Sequence, residues 1–532
     1  MLKKLLFIVL ASILFGCNNK PKVSYEFLND KNLSNDKKIA LIFKNDYLNQ
    51  YGFQKNEVDW LKDLYKINND KPFFCNDSSL SANGKSNIEI LKNNLAFGIP
   101  QNRLKINYNK NPHPLLAEIY LCLNTARVLN DLNNGIIDFK EKKYMPNKLI
   151  TPDEFVQNLK QLDTISLSQL FLKQGPADTN YRFLASHLYD FYYKYPVDTN
   201  SFDLKEIEKE TITANSRICT VLIKKGYLQK NTSSIEKVIK ALNQFQKDNG
   251  LAEEEKINTN TILALNESSR NKLLRAAISL DKIRQSKIHQ AKYVRINIPE
   301  YKLYFYANDS LKSVHRIVVG KTTNQTPELT SKINRIVAFP FWKVPYSICK
   351  DEALPAIKKN ITYLNKNHFK IYKNAVEINP ATVNWKKMTS FPYSLIQQPG
   401  VFNSLGIMKF EFANIFSVYV HDTPSKSLFN RSVRNFSHGC VRCENPIELA
   451  RIMLKNDIVD NKPTKFTSDS LDTVMFKQLN RFIFLKVSIP IFVYYQSVVA
   501  DRNKLVFHLD IYKRDDEYLN LLKTASKYPV NS

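Results

Sequence analysis

A chain of 532 residues with 77 Lys and Arg against 50 Asp and Glu carries a formal charge of +27, and 43% of it is hydrophobic. That length leaves room for several domains with substantial cores, and the composition excludes a disordered or collagen-like chain. Glycine occurs only 12 times, with neither a G-x-G-x-x-G nor a P-loop pattern, so the excess cation is left to an anionic partner: nucleic acid, a membrane surface or an acidic polymer.

The N-terminus pairs Lys3 and Lys4 with an apolar run from Leu5 to Phe15, ending in Gly16-Cys17 and polar Asn18, Asn19 and Lys20. The run is too short to span a bilayer and fits the core of an export signal. A cysteine after a small residue at this point resembles a bacterial lipoprotein signal. That resemblance implies cleavage before Cys17 and acylation of Cys17, giving a lipid anchor on the periplasmic face of a membrane, the outer in preference to the inner. Export also removes nucleic acid from the expected partners.

Residues 17–36 read as a polar tether, and 37–205 as a mainly helical region, for example Leu115 to Leu132, with no chemistry of its own. In 211–270, Ser233 and Glu236 form a capping-box pattern, with Ile235, Val238, Ile239, Leu242 and Phe245 following at helical spacing up to Gly250. From about 292 the period changes to two: Val294, Ile296 and Ile298, then Leu303 with Phe305 and Ile317 with Val319, predict antiparallel strands. Residues 346–397 interrupt them with Lys- and Asn-rich, partly helical sequence read as an insertion or lid. Strand patterns return at 407–421, 482–495 and 505–512.

The segment 416–421 predicts a strand with Phe416, Val418 and Val420 on one face and Ser417, Tyr419 and His421 on the other. Cys440 lies nineteen residues after His421 within Ser437-His438-Gly439-Cys440-Val441-Arg442. A cysteine after glycine, with a histidine from another element within reach, is the layout of a thiolate nucleophile activated by imidazole. Gly439 permits a tight turn that aims amides at an oxyanion. Arg442 would lower the thiol pKa or hold a carboxylate. Cys440 and Cys443 also form C-x-x-C, which allows three other readings: a redox dithiol, a metal site with His421 and His438, or a reversible 440–443 disulfide. The bland reading makes Cys443 a small buried hydrophobe.

The order "VYVHDTPSKSLF…RNFSHGCVR", with "INIPEYKLYFY", "IVVGK", "FWKVPYSICKDEALP", "QQPGVFNSLGIMKFEF" and "IPIFVYY", resembles the L,D-transpeptidase catalytic domain (YkuD type), in particular its larger, lid-bearing members. The 211–270 stretch resembles the small three-helix peptidoglycan-binding domain, with Glu253-Glu254-Glu255 where that family has an Asp-Gly turn. The resemblance implies an α+β multidomain protein. Its parts would be a signal (1–16), the tether (17–36), a helical scaffold (37–205), a three-helix peptidoglycan-binding-like domain (211–270), a mainly antiparallel β catalytic domain (290–515) with a helical lid near 346–397, and a tail (516–532). It further implies Cys440 as nucleophile and His421 as general base, with Tyr419, His438, Gly439 and Arg442 around the acyl and oxyanion positions. No cofactor or metal is expected. The expected partners are peptidoglycan tetrapeptide stems, the membrane through the anchor, and other cell-wall enzymes. Lysines of the lid would hold stem carboxylates. The expected reaction is 3→3 cross-linking through a thioester with release of D-Ala. Water as acceptor would give an L,D-carboxypeptidase, and loss of catalysis a wall-binding scaffold.

Overall fold

The computed structural model describes residues 26–523 except 45–47, 49–51, 77–78, 105–112, 200–201, 203, 205–206, 208–211, 214–215, 233, 287–289, 460–461, 464–465 and 502. The signal, Cys17, Ser233 and residues 524–532 of the tail lie outside the described residues. The chain forms two compact units, one within residues up to 136 and 144–176, the other within 137–143 and 177–523.

The first unit is helical and centres on the helix Pro114–Asn134. His113 starts it by accepting a hydrogen bond from Leu115 N (3.2 Å), and Pro114 sits where its missing N–H is not needed. Almost every side chain from Leu115 to Leu132 is buried, so this helix has no wet face and its polar groups must find partners inside. Glu118 does: Tyr65 Oη (3.0 Å) and Phe73 N (2.7 Å) donate to Oε1, and Phe74 N (2.7 Å) donates to Oε2.

The second unit begins with the helix Thr179–Lys194, so the helical pattern over 37–205 divides between two units and is not one scaffold. The helices Arg217–Lys224, Ile235–Asp248 and Thr259–Asn266 close a small core on Leu222, Val238, Leu242, Phe245 and Leu265. The middle helix is capped by Ser234, which accepts from Lys237 N (3.4 Å). Ile235, placed by spacing on the core stripe, is half-exposed in the first turn.

The sheet of this unit uses β1 (Lys292–Asn297), β2 (Lys302–Ala307), β3 (Ser310–Gly320), β4 (Leu329–Ala338), then, past four strands of the insertion, β9 (Met408–Phe412), β10 (Val420–His421), β11 (Asn435–Ser437), β12 (Val441–Cys443) and β13 (Arg481–Tyr494). Its order is β11-β3-β12-β10-β9-β4-β13-β1-β2, and β2 also pairs with β3, so the strands from β3 to β2 close on themselves and β11 stays attached at the margin of β3. Most pairings are antiparallel; β10–β12, β11–β3 and β13–β1 are parallel. Alternate side chains fill the interior, including Val294, Ile296, Leu303, Phe305, Ile336, Phe410, Val420 and Val441.

Two expectations need correction. The insertion is not simply helical: β5 (Trp342–Lys343), β6 (Phe369–Lys373), β7 (Val376–Ile378) and β8 (Ser394–Gln397) form an antiparallel sheet in the order β5-β8-β6-β7. Short helical segments between Tyr346 and Lys366 pack on that sheet around Leu354, Ile357, Ile371, Trp385 and Leu395. The period of two is visible in Phe369 and Ile371 but is masked in sequence by Lys and Asn on the outer face. The second correction concerns 416–421, of which only Val420–His421 is strand. Ser417 takes a left-handed φ of 56°, held by Asn414, whose Oδ1 accepts from Phe416 N (3.1 Å) and Val418 N (3.0 Å). Phe416 is therefore half-exposed, while Val418 and Val420 are buried.

Candidate active site

The parallel pairing of β10 with β12 assembles the site. Val420 opposes Val441 and His421 opposes Arg442, and Val441 N donates to Tyr419 O (3.0 Å). Opposed residues in a ladder share a face and neighbours alternate. Val420 and Val441 therefore enter the core, and Tyr419, His421, Cys440 and Arg442 come together on the other side. The rings of Tyr419 and His421 meet edge to face at 5.5 Å. Cys440 is partly exposed, and its thiol lies 3.9 Å from Ser417 O and within the influence of Tyr419.

Electrostatics leave both reacting groups neutral. Burial and then the Arg442 guanidinium push His421 down to about 3, and its Nδ1 is buried without a partner. Burial also raises the Cys440 thiol, opposed by hydrogen bonds from Tyr419 and by the charges of Lys409 and Arg442. A resting thiolate–imidazolium pair is thus disfavoured. A neutral imidazole beside a neutral thiol is able to accept a proton from it. Arg442 Nε, like His421 Nδ1, is buried and unpartnered.

The turn before the nucleophile differs in one respect from expectation. Gly439 has φ +112°, a region an L side chain avoids. Its N–H does not point at a substrate, because it donates to Ser437 Oγ (3.1 Å), which itself donates to Cys440 O (2.5 Å). The N–H of Cys440 has no partner among the described residues and is left open to an acceptor. Thr326 fixes the turn from behind: its Oγ1 donates to Gly439 O (2.8 Å) and accepts from Gly320 N (2.9 Å), while Tyr512 Oη accepts from Thr326 N (3.2 Å).

His438 does not join the Tyr419–Arg442 face. Its exposed ring meets Glu352 of the insertion, Nε2 to Oε1 2.6 Å, tying the insertion to the nucleophile turn. Cys443 lies three residues from Cys440 along β12, hence on the opposite face, and is buried with Val441. In the structure both thiols are free, and Cys443 is the small buried one.

Sequence reasoning missed several supports. Asp422, next to His421, accepts from Ile407 N (3.1 Å) and pairs with Lys426. It fits only because position 406 is glycine, since a Cβ there would lie 2.3 Å from the carboxylate. Buried Asn403 donates to Pro340 O (3.1 Å) and Gln398 O (2.8 Å), shaping the loop below. Lys409 opposes His421 across β9–β10, and its ammonium lies 4.1 Å from the Tyr419 ring centre. Lys409, Glu411, Arg335, Asn414, Ser417 and Tyr419 line a groove of about 450 Å³ beside Cys440, with Glu411 paired to both cations. The period of two in Met408-Lys-Phe-Glu-Phe412 was the available signal for Lys409 and Glu411.

Sequence comparison agrees with this arrangement. Residues 291–460 match the L,D-transpeptidase catalytic domain (YkuD). A Haemophilus influenzae protein named "Putative L,D-transpeptidase" is 32% identical over 222 residues, which are 41% of this chain and 44% of that protein. The chain thus spans less than half the length of that relative. An L,D-transpeptidase from Mycobacterium smegmatis (12% identity, covering 38% of this chain and 58% of that one) and one from Stackebrandtia nassauensis (14%, covering 56% and 96%) align structurally. Both TM-scores are 0.17, too low for the superpositions to bear on the fold.

Proposed function

We propose that the protein is a cysteine L,D-transpeptidase forming 3→3 cross-links between peptidoglycan stems. The observation that carries this reading is the β10–β12 register, which puts neutral His421, with its open Nδ1, on one face with Cys440. As Cys440 sulfur bonds to the carbonyl between the third stem residue and D-Ala, His421 takes the thiol proton. The C–N bond then breaks and D-Ala leaves as the amine with that proton. The side-chain amine of a second stem's third residue attacks the thioester, its C–N bond forms, and sulfur leaves and is reprotonated. The Cys440 amide supports the oxyanion in both steps. Lys409 and Arg335 supply positive charge in the adjoining groove for stem carboxylates. The three-helix unit and the Cys17 anchor complete the proposal, as wall-facing and membrane-facing elements of a lipoprotein outside the cytoplasm.

The test is incubation of the full chain with disaccharide tetrapeptides and mass spectrometry of products. D-Ala release with dimers supports transpeptidation; release with monomeric tripeptides only assigns water as acceptor; no release removes the reading.

A further inference from the structure

The second unit has a larger groove, of about 890 Å³, that shares no lining residue with the groove beside Cys440. It runs over the end of the buried helix Ser269–Arg284, the outer side of β1 and β13, and the turn after Tyr512. Its walls mix aromatic rings (Phe139, Phe492, Tyr494, Tyr518) with five cations: Lys142, Lys282, Arg295, Lys513 and Arg514. Only two carboxylates, Glu328 and Glu517, line it, and both are already used. Glu328 pairs with Arg514 (3.1 Å) and Glu517 with Lys142 (3.0 Å), while Lys282 faces Asp515 (3.5 Å).

Arg295 and Lys513 are left over. The Arg295 guanidinium lies 4.9 Å from the Tyr494 ring centre, its Nε is buried without a hydrogen-bond partner, and it makes no ion pair among the described residues. Asp178 is the nearby anion that acts on this guanidinium, at a distance beyond an ion pair, so a ligand carboxylate would add the close contact that Nε lacks. Lys513 stands in a left-handed turn (φ 55°) whose backbone is fixed by Asp510, which accepts from Arg514 N (3.0 Å) and Asp515 N (2.9 Å). That side chain is thereby directed at the groove without an ion-pair partner among the described residues. Aromatic walls suit the faces of sugar rings, and two cations without an ion pair among the described residues suit a carboxylate. A cavity of this size accepts a di- or trisaccharide.

We propose that this groove is a second, non-catalytic site that binds a carboxylate-bearing amino-sugar strand, with Arg295 and Lys513 on the carboxylate and Tyr494 and Phe492 against the rings. The choice of amino sugar rests on the peptidoglycan reading above: stem-free glycan carries free lactyl carboxylates, with no peptide for the Cys440 site to hold. The groove is tied to the nucleophile turn, since Arg514 donates to Thr326 O (2.8 Å) and Thr326 holds Gly439.

The test is calorimetric titration of the full chain with the N-acetylglucosaminyl–N-acetylmuramic acid disaccharide, with neutral chitobiose and with a single-stranded oligonucleotide. Expected are saturable binding of the acidic disaccharide, at least about tenfold weaker binding of chitobiose, and about tenfold weakening of the disaccharide by Arg295→Gln. Lys513→Ala, at an exposed turn where folding is not at stake, should weaken it about threefold. Equal affinity for chitobiose, no saturation by the acidic disaccharide, indifference to both substitutions, or tighter binding of the oligonucleotide through the same residues would each overturn the site. D-Ala release by Cys440 is read separately. Its loss would remove the catalytic reading and leave this titration standing; its persistence without disaccharide binding would remove only the groove.

Discussion

Two buried polar clusters in this molecule are finished to different degrees. Around Glu118 in the helical unit, both carboxylate oxygens are occupied by Tyr65 and by the amides of Phe73 and Phe74, and Arg103 grips Asp131 with two bonds of 2.9 and 2.8 Å. Around Cys440, His421 Nδ1 and Arg442 Nε are buried with no partner. Buried polar groups are normally satisfied because an orphan costs about 1–3 kcal/mol. The first cluster spends its hydrogen bonds on the fold, and on the proposed reading the second leaves two open for a reacting molecule. The contrast is between a cluster that is closed and one that a ligand could still complete.

It can be broken most sharply at the nucleophile. Cys440→Ala should lower D-Ala release by at least about a thousandfold, with an unchanged unfolding midpoint, because nothing in the fold leans on that thiol. Glu118→Ala should do the reverse: it strands Tyr65 Oη and two amides and should cost about 3–5 kcal/mol in denaturant unfolding, with turnover per folded molecule unchanged. A turnover defect in Glu118→Ala would erase the distinction.

Acid sharpens it. His421 is held down to about 3 from an ordinary 6.5, so between those values the unfolded chain binds a proton that the folded chain refuses. Stability should therefore rise with pH across about 3 to 6.5, by up to ~1.4 kcal/mol per pH unit from this group. Buried His508, held to about 4, adds a share that His421→Gln leaves in place. Unfolding midpoints of His421→Gln that keep the parent's full slope would show that His421 is not the neutral buried base described.

Arg442 lowers the thiol pKa and resists protonation of His421, so Arg442→Gln should move the alkaline limb of the rate profile upward and cost about tenfold at neutral pH, recovered at higher pH. A loss independent of pH would assign Arg442 to substrate binding instead. The smallest effect belongs to Glu352→Gln. The pair with His438 is half-exposed, so its removal should change stability by less than about 1 kcal/mol and show mainly as a few-fold change in KM. A large fall in kcat would mean that the insertion shapes the nucleophile turn.

Local patterns showed the parts that rest on short-range regularities. Alternation at Val294, Ile296 and Ile298 marked the first strand, and Ser437-His438-Gly439-Cys440 with His421 marked the candidate site. What depends on long-range register was hidden. No local rule shows that Val420 meets Val441 in parallel, that Thr326 reaches Gly439 across 113 residues, or that Glu352 reaches His438 across 86. The insertion's strands were hidden because lysines and asparagines occupy their outer faces. The extended reading of 416–421 failed because the Asn414 amide side chain organises a turn that the hydrophobic alternation does not register. Cys443 was open in sequence because C-x-x-C spacing is ambiguous; the structure buries it in the core with Val441 and leaves its thiol free.

The central claim is acyl transfer through Cys440, and the most direct test is the intact mass of the chain quenched during turnover of a disaccharide tetrapeptide. The account predicts an adduct equal to the substrate less D-Ala, mapped to Cys440 and discharged by an acceptor amine. D-Ala release with no adduct on Cys440, and equal release by Cys440→Ala, would contradict it.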